Sequence, residues 1–438
     1  MKIAEFFGLS KRNGASVRSG GRAISSLMQA CRGLLSERGE VSVSRMASEV
    51  LSTYRALDKA GREAFFDRLA KEFSPDPQKV GLAGDAYRKD PSPENLARLQ
   101  RAVEPPRQEL FRRLNVAPGG TRVLVEMRGH LLKDAGPDSA RAPIAGDLKH
   151  LLTSWFNRGF LVLQRIDWRT SATILEKLIQ YEAVHQIQGF HDLRRRLADD
   201  RRCYAFFHPA LPEEPIIFVE AALTQGMSDK VQPLLDPDSA IVNPETADSA
   251  IFYSITNCQE GLRGVPMGSF LIKQVVEDIG REFPRIRRFA TLSPVPGFCE
   301  WLRQNGASLA PAAVLAGLDH PKWSEDPKLR QEMQEVLVPL CAYYLMRAKR
   351  GKEPLDTVAR FHLRNGARLE RINWLGDISK AGMDRSAAIT VNYRYRLSDL
   401  EHNHELYTRD YRVAASREVE LLAKQATAPP PKASRPQR

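Results

Sequence analysis

Apolar residues recur at helical spacing through the first third of the chain. Met46, Val50, Leu51, Tyr54 and Leu57 form one stripe; Phe65, Phe66, Leu69 and Phe73 form the next, closed by Ser74-Pro-Asp-Pro77. Pro91-Ser-Pro93 opens a helix bearing Leu96, Leu99 and Val103, and Pro105-Pro106 ends it and starts Glu109–Leu114. Pro118-Gly-Gly120 precedes Val123–Leu132, and a loop over Ala135–Pro143 leads into Ile144–Phe156. Short helices separated by Pro/Gly breaks, almost without strand-like alternation, predict an antiparallel bundle over residues 23–155. At Gly159 the pattern changes. Phe160-Leu-Val-Leu163, Cys203–Phe207, Ile216–Glu220, Ile251–Thr256, Phe289–Leu292 and Ile389–Arg396 read as strands. Helices are expected near Ala172–Tyr181, Leu193–Leu197, Ser269–Ile279 and Lys328–Met346. The mixture predicts an α/β or α+β catalytic domain over 156–425.

The ends differ from the body. Residues 1–22 read as a disordered basic arm and 426–438, with Ala-Pro-Pro-Pro-Lys, as a disordered tail. The net charge of +12 invites a nucleic-acid reading, but residues 1–36 carry +5 and residues 424–438 carry +4, leaving a nearly neutral body. No nucleic-acid partner is expected. No apolar run approaches the roughly 20 residues that span a bilayer, so no membrane partner is expected either. The five cysteines are far apart, without metal-ligand or redox spacing. His402-Asn-His404-Glu405 reads as a solvated loop, and Arg194-Arg-Arg196 as a solvated helix face. No metal site is assigned. The setting expected is the bacterial cytoplasm, with the mitochondrion as the alternative.

One stretch carries chemistry. The apolar run Ala250-Ile-Phe-Tyr-Ser-Ile255 is followed by Arg263-Gly-Val-Pro-Met-Gly-Ser269 and then by Leu271, Ile272, Val275, Val276 and Ile279 at helical spacing. Strand, glycine turn and amphipathic helix together aim backbone N–H groups and a helix N-terminus at an anion, most simply a phosphate. Gly264 and Gly268 allow close backbone approach, and Arg263 adds a charge-assisted contact. Leu292-Ser-Pro-Val-Pro-Gly-Phe298 follows one helix later. By residue type alone, Ser293 reads as a turn former, His362 as a packed histidine and Tyr395 as half-buried strand packing.

Arg263–Ser269 resembles the acyl-CoA diphosphate loop of the acetyltransferase-like (GNAT) fold, with Pro266 where that loop usually has glycine. Longer segments resemble the malonyl-CoA decarboxylase family: Gly159–Leu163, Tyr181–His185, Arg202–Tyr204, Glu214–Glu220, Ala250–Ile255, Gly261–Lys273, Leu292–Phe298, Phe361–Ala367, Arg371–Trp374 and Asn392–Tyr395, in order. The resemblance implies a helical bundle followed by a GNAT-like mixed α/β domain, with malonyl-CoA as substrate, acetyl-CoA as product and no cofactor. It also implies a homo-oligomer, dimer or tetramer, for which the bundle would serve as scaffold. It places the catalytic serine on Ser293, the catalytic histidine on His362 and a site tyrosine on Tyr395. The CoA loop falls on Arg263, Gly264, Val265, Pro266, Met267, Gly268 and Ser269. Animal members carry a loop glutamate where this chain has Pro266.

The chemistry implied is loss of CO₂ to leave a thioester enolate, which a histidine titrating near neutrality protonates. The thioester is itself the electron sink, so no metal or organic cofactor is required. Two other readings use the same fold: an acyl-CoA N-acyltransferase, and a CoA-binding scaffold without turnover.

Overall fold

The computed structural model describes residues 12–134, 136, 139–265, 271–320 and 323–426. The chain separates into two units. One comprises Met1–Leu161 with the later segments His208–Glu214 and Gln259–Met267; the other comprises Val162–Phe207, Pro215–Cys258 and Gly268–Arg438.

The first unit holds helices α1 (Arg12–Ser36), α2 (Glu40–Arg55), α3 (Lys59–Glu72), α4 (Pro77–Lys89), α5 (Pro93–Val103), α6 (Pro106–Val116), α7 (Gly120–Asp134) and α8 (Ala142–Trp155). Their starts follow local chemistry. Asp58 accepts from Gly61 N, Asp76 from Gln78 N and Lys79 N, and Ser92 from Asn95 N, each satisfying amide groups that the first helical turn leaves unpaired. The predicted stripes face inward: Val50, Leu51 and Tyr54 of α2 and Phe65, Phe66 and Leu69 of α3 are buried, with the Tyr54 ring 5.6 Å from Phe65 and 6.0 Å from Phe66. Residues 12–22, expected in the arm, lie on α1; residues 1–11 and the tail from 427 lie outside the described residues.

The second unit is built on an eight-stranded sheet ordered β1-β2-β3-β4-β5-β10-β6, with β9 beside β10. Its elements are β1 (Val162–Ile166), α9 (Ala172–Tyr181), α10 (Phe190–Arg196), β2 (Arg201–Phe207), β3 (Ile217–Thr224), α11 (Gln232–Leu235), β4 (Ser249–Asn257), α12 (Leu271–Glu282), β5 (Arg288–Thr291), β6 (Ser293–Pro294), α13 (Phe298–Asn305), α14 (Ala312–Gly317), α15 (Pro327–Arg347), the hairpin β7 (Lys349–Arg350) and β8 (Glu353–Pro354), α16 (Thr357–Arg364), β9 (Arg368–Asn373), α17 (Lys380–Ser386), β10 (Thr390–Arg394), α18 (Leu400–Asp410) and α19 (Arg417–Gln425). Strands β1 to β4 pair antiparallel in sequence order. The chain then crosses through α12 and returns as β5, parallel to β4, with Ser249 opposite Arg288 and Phe252 opposite Thr291. This is the helical bundle plus mixed α/β sheet that the resemblance implies. Glu220 pairs with Ser254 but Ala221 with Phe252, so Tyr253 is an extra residue, a bulge beside the site described below. Among the described residues no helix is long and apolar enough to cross a membrane.

Two polar segments are corrected. His402, Asn403, His404 and Glu405 lie on α18, not in a loop: Asn403 Nδ2 donates to Gly366 O at 3.1 Å, and His404 Nδ1 is 2.6 Å from Arg364 O, so they satisfy carbonyls at and just beyond the end of α16. Of Arg194–Arg196 only Arg194 is solvated. Arg195 is buried on Asp200 at 2.6 Å, and Arg196 on Asp192 at 2.8 Å and Glu220 at 3.0 Å. Buried guanidinium groups require such partners.

Candidate active site

Three residues far apart in sequence meet in the second unit. Ser293 opens β6 immediately after β5, and Val391 of β10 lies opposite it. His362 lies in the last turn of α16, a helix N-capped by Asp356, whose Oδ1 accepts from Ala359 N at 2.7 Å. Tyr395 follows β10 and is held by its N–H to Phe289 O at 2.8 Å. Ser293 Oγ is 3.1 Å from His362 Nε2, and His362 Nδ1 is 2.7 Å from Tyr395 Oη. The Ser293 hydroxyl donates to Thr291 Oγ1 at 2.8 Å. The result is a continuous buried chain, Thr291–Ser293–His362–Tyr395.

Packing fixes the imidazole. The Tyr393 ring stacks on it at 4.5 Å and 22°, and Phe361 meets it edge-on at 5.1 Å. Phe252, one residue before the β4 bulge, meets Tyr395 edge-on at 6.2 Å. A cavity of about 280 Å³ opens against the chain, lined by Ser293, His362, Thr357 and Asn257 among apolar Val184, Phe252, Ile255, Leu292 and Phe361. A few polar groups converging in an apolar pocket suit a small acyl group with a polar reacting end.

Electrostatics correct one expectation. The imidazole does not titrate near neutrality: burial pushes His362 down to about 3, so the ring is neutral at physiological pH. Burial likewise raises the Tyr395 phenol and keeps it protonated. Asp356 is pushed up to about 6 by burial, against the pull of the N–H groups of Ala359, Val358 and Gly297.

Of the loop residues, Arg263, Gly264 and Val265 are described and belong to the first unit; Pro266, Met267, Gly268 and Ser269 lie outside the described residues. Gly264 has φ +74°, the left-handed region that favours glycine. The loop's approach is set by the bundle. Arg128 of α7, buried, donates to Gly261 O at 2.6 Å and Arg263 O at 2.9 Å. A Cβ on Gly261 would lie 1.9 Å from Val125 O, so no larger residue fits there. Lys149 Nζ of α8 stands 3.9 Å from where a Cβ on Gly264 would be, a cation that sequence reading does not single out. Nor does sequence reading single out Thr291. It stands two residues before Ser293, and strand alternation places such a pair on one face, but the signal is weak across so short a strand.

Comparison with known proteins separates the two parts of the chain in the same order. The family model for the malonyl-CoA decarboxylase C-terminal domain matches residues 159–432, and that for the N-terminal domain matches residues 73–156. The chain belongs to the malonyl-CoA decarboxylase family. Members of that family are carboxy-lyases. The mitochondrial malonyl-CoA decarboxylase of Anser anser anser is 34% identical over 423 residues, covering 87% of this chain and 84% of the relative. That of Rattus norvegicus is 33% identical over 431 residues, covering 89% and 88%. Among solved structures, the malonyl-CoA decarboxylase from Rhodopseudomonas palustris is 48% identical with a TM-score of 0.88, covering 91% of this chain and 99% of that one. The enzyme from Agrobacterium vitis is 46% identical with a TM-score of 0.85 and the same coverage.

Proposed function

We propose that the protein decarboxylates malonyl-CoA to acetyl-CoA and CO₂, with His362 supplying the proton, Ser293 orienting it and Tyr395 standing behind the imidazole. The observation that carries this reading is the Ser293–His362–Tyr395 chain, at 3.1 and 2.7 Å, with Ser293 and His362 lining an acyl-sized cavity. The malonyl group enters with its carboxylate roughly perpendicular to the thioester plane, so the breaking bond overlaps the carbonyl π system. CO₂ leaves, and its bonding pair becomes the enolate. A preorganised donor in so dry a site is worth about 3–4 kcal/mol to the developing charge.

Neutral imidazole suits this step. The α carbon of a thioester enolate is a far stronger base than an imidazole nitrogen, so an imidazolium is not required; neutral histidine serves as an electrophile in other enolising sites. One proton is consumed per turnover, and solvent returns it through the vacated cavity. The CoA diphosphate is assigned to the loop Arg263–Ser269. Arg263 and Lys149 support an anionic ligand there, and Arg128 holds the loop backbone.

The test is incubation of purified enzyme with malonyl-CoA alone. CO₂ release without an acceptor amine is expected, and its absence, with acyl transfer once an amine is added, would replace this reading with a transferase. His362→Asn and Ser293→Ala should fold, keep KM near the wild-type value and lose kcat by about a hundredfold or more. Wild-type kcat in either removes that residue from the mechanism.

A further inference from the structure

We propose that Thr291 is a positioning residue that selects the proton-donating tautomer of His362, an inference that rests on the catalytic reading of His362 and Ser293 above. The argument is a count of protons. Tyr393 N lies 3.1 Å from Thr291 Oγ1, and a backbone N–H can only donate, so it occupies one lone pair of that oxygen. The Ser293 hydroxyl points its single proton at the same oxygen, at 2.8 Å. Ser293 therefore has no proton left for His362. Its contact with Nε2 at 3.1 Å must be one in which the serine oxygen accepts and Nε2–H donates. A neutral imidazole carries one N–H, so Nδ1 is bare and accepts from Tyr395 Oη–H at 2.7 Å. The direction of the whole chain follows from the contact in which the threonine oxygen accepts the serine proton.

The consequence bears on the reaction. The transferable proton sits on Nε2, beside Ser293, at the cavity wall that both residues line. When the carboxylate–Cα bond breaks and its electron pair enters the enolate, the Nε2–H bond breaks as the new α C–H bond forms. The Tyr395 proton shifts to Nδ1 as Nε2 gives up its own, and a solvent proton taken up at Nε2 from the vacated cavity returns the Nδ1 proton to the phenol oxygen, so that Tyr395 ends protonated. Without the Thr291 hydroxyl, Ser293 turns its proton to Nε2, the ring proton moves to Nδ1 and donates to Tyr395, and the cavity faces a ring nitrogen that has nothing to give.

Three variants and one spectrum decide it. Thr291→Val keeps the shape but removes the oxygen; kcat for malonyl-CoA decarboxylation should fall by about tenfold or more while KM is unchanged. Thr291→Ser restores the oxygen and should recover kcat. Nitrogen-15 shifts of the full-length enzyme, with His362→Asn identifying the resonance, should show His362 protonated at Nε2 in wild type and at Nδ1 in Thr291→Val. A wild-type ring protonated at Nδ1 overturns the proposal with no variant needed, which covers the case in which Thr291→Val fails to fold. Unchanged kcat in Thr291→Val, or a loss that Thr291→Ser does not recover, also overturns it. If His362→Asn itself retains wild-type kcat, the underlying mechanism has failed instead, and the two failures are distinguishable.

Discussion

His362 is 3% exposed, between the Tyr393 face and the Phe361 edge, and that burial has a measurable signature. Its pKa in the folded protein, pushed down to about 3, lies below the ordinary value of about 6.5 that it regains on unfolding. Protons therefore favour the unfolded chain. The stability this residue contributes is complete above pH 6.5 and is lost as pH falls from 6.5 toward 3, at up to about 1.4 kcal/mol per pH unit. The melting temperature of the wild type should fall more steeply between pH 6.5 and 4.5 than that of His362→Asn. In the same window, kcat/KM should show no transition near 6.5, because the free enzyme has no imidazolium there to lose; a clear inflection at that pH would contradict the burial. The identity of this residue came from segment resemblance alone. Ser293, His362 and Tyr395 are separated by 69 and 33 positions, and nothing in residue type or period says that their side chains meet. Their neutral, buried state was not legible either, because it depends on rings contributed by β10 and α16 together.

At the scale of elements, α16 presents the histidine, and its cap is the control point. Asp356 accepts from the amide of Ala359, while its Oδ2 is buried and finds no hydrogen-bond partner among the described residues. Its folded pKa, raised to about 6, exceeds the ordinary carboxylate value, so its stabilising contribution is complete below about pH 3.9 and is lost as pH rises through 6. Asp356→Asn keeps a capping oxygen and removes the buried charge. At pH 7.5 its melting temperature should equal or exceed that of wild type, with kcat retained. Asp356→Ala loses the cap, about 1 kcal/mol, and should lower kcat because the helix no longer holds the imidazole in place. Thermal melts and kinetics on the two variants separate cap from charge. Elements with many residues in one period were readable: α2, α3, α12, β2 and β4 sit where their apolar patterns place them. Those around the site were not. β5 and β6 contain four and two residues, too few to show a period. The strand expected from Phe160 begins at Val162, after a turn of 3₁₀ helix over Arg158–Phe160. α18 was hidden because its faces are largely polar and its role is to meet carbonyls of α16 and the turn that follows.

For the molecule as a whole, chain order and spatial order part company, and a single cut near residue 156 does not reproduce the division. The helical unit includes His208–Glu214 and the segment beginning at Gln259, both reached only after strands of the sheet have been laid down. Their bonds are not peripheral. His208 Nε2 is 3.0 Å from Trp155 O, Arg122 pairs with Glu214 at 3.0 Å, and the buried Arg128 donates to Gly261 O and Arg263 O. A fragment ending at residue 161 lacks the carbonyls of Gly261 and Arg263 and, among the described residues, keeps for Arg128 the carbonyl of Ala145, at 3.3 Å. That fragment should therefore be less stable than its helical content suggests. Arg128→Met should destabilise the full chain by about 1–3 kcal/mol, because it abandons the buried carbonyl of Gly261 and the part-buried one of Arg263. In the fragment the same change should be near neutral, because the segment that supplied those carbonyls is absent and water solvates the guanidinium. Denaturant melts of the four proteins test this as a cycle. Equal effects of Arg128→Met in chain and fragment would mean that the late segment does not complete the bundle, and the loop assigned to the CoA diphosphate would lose its anchor.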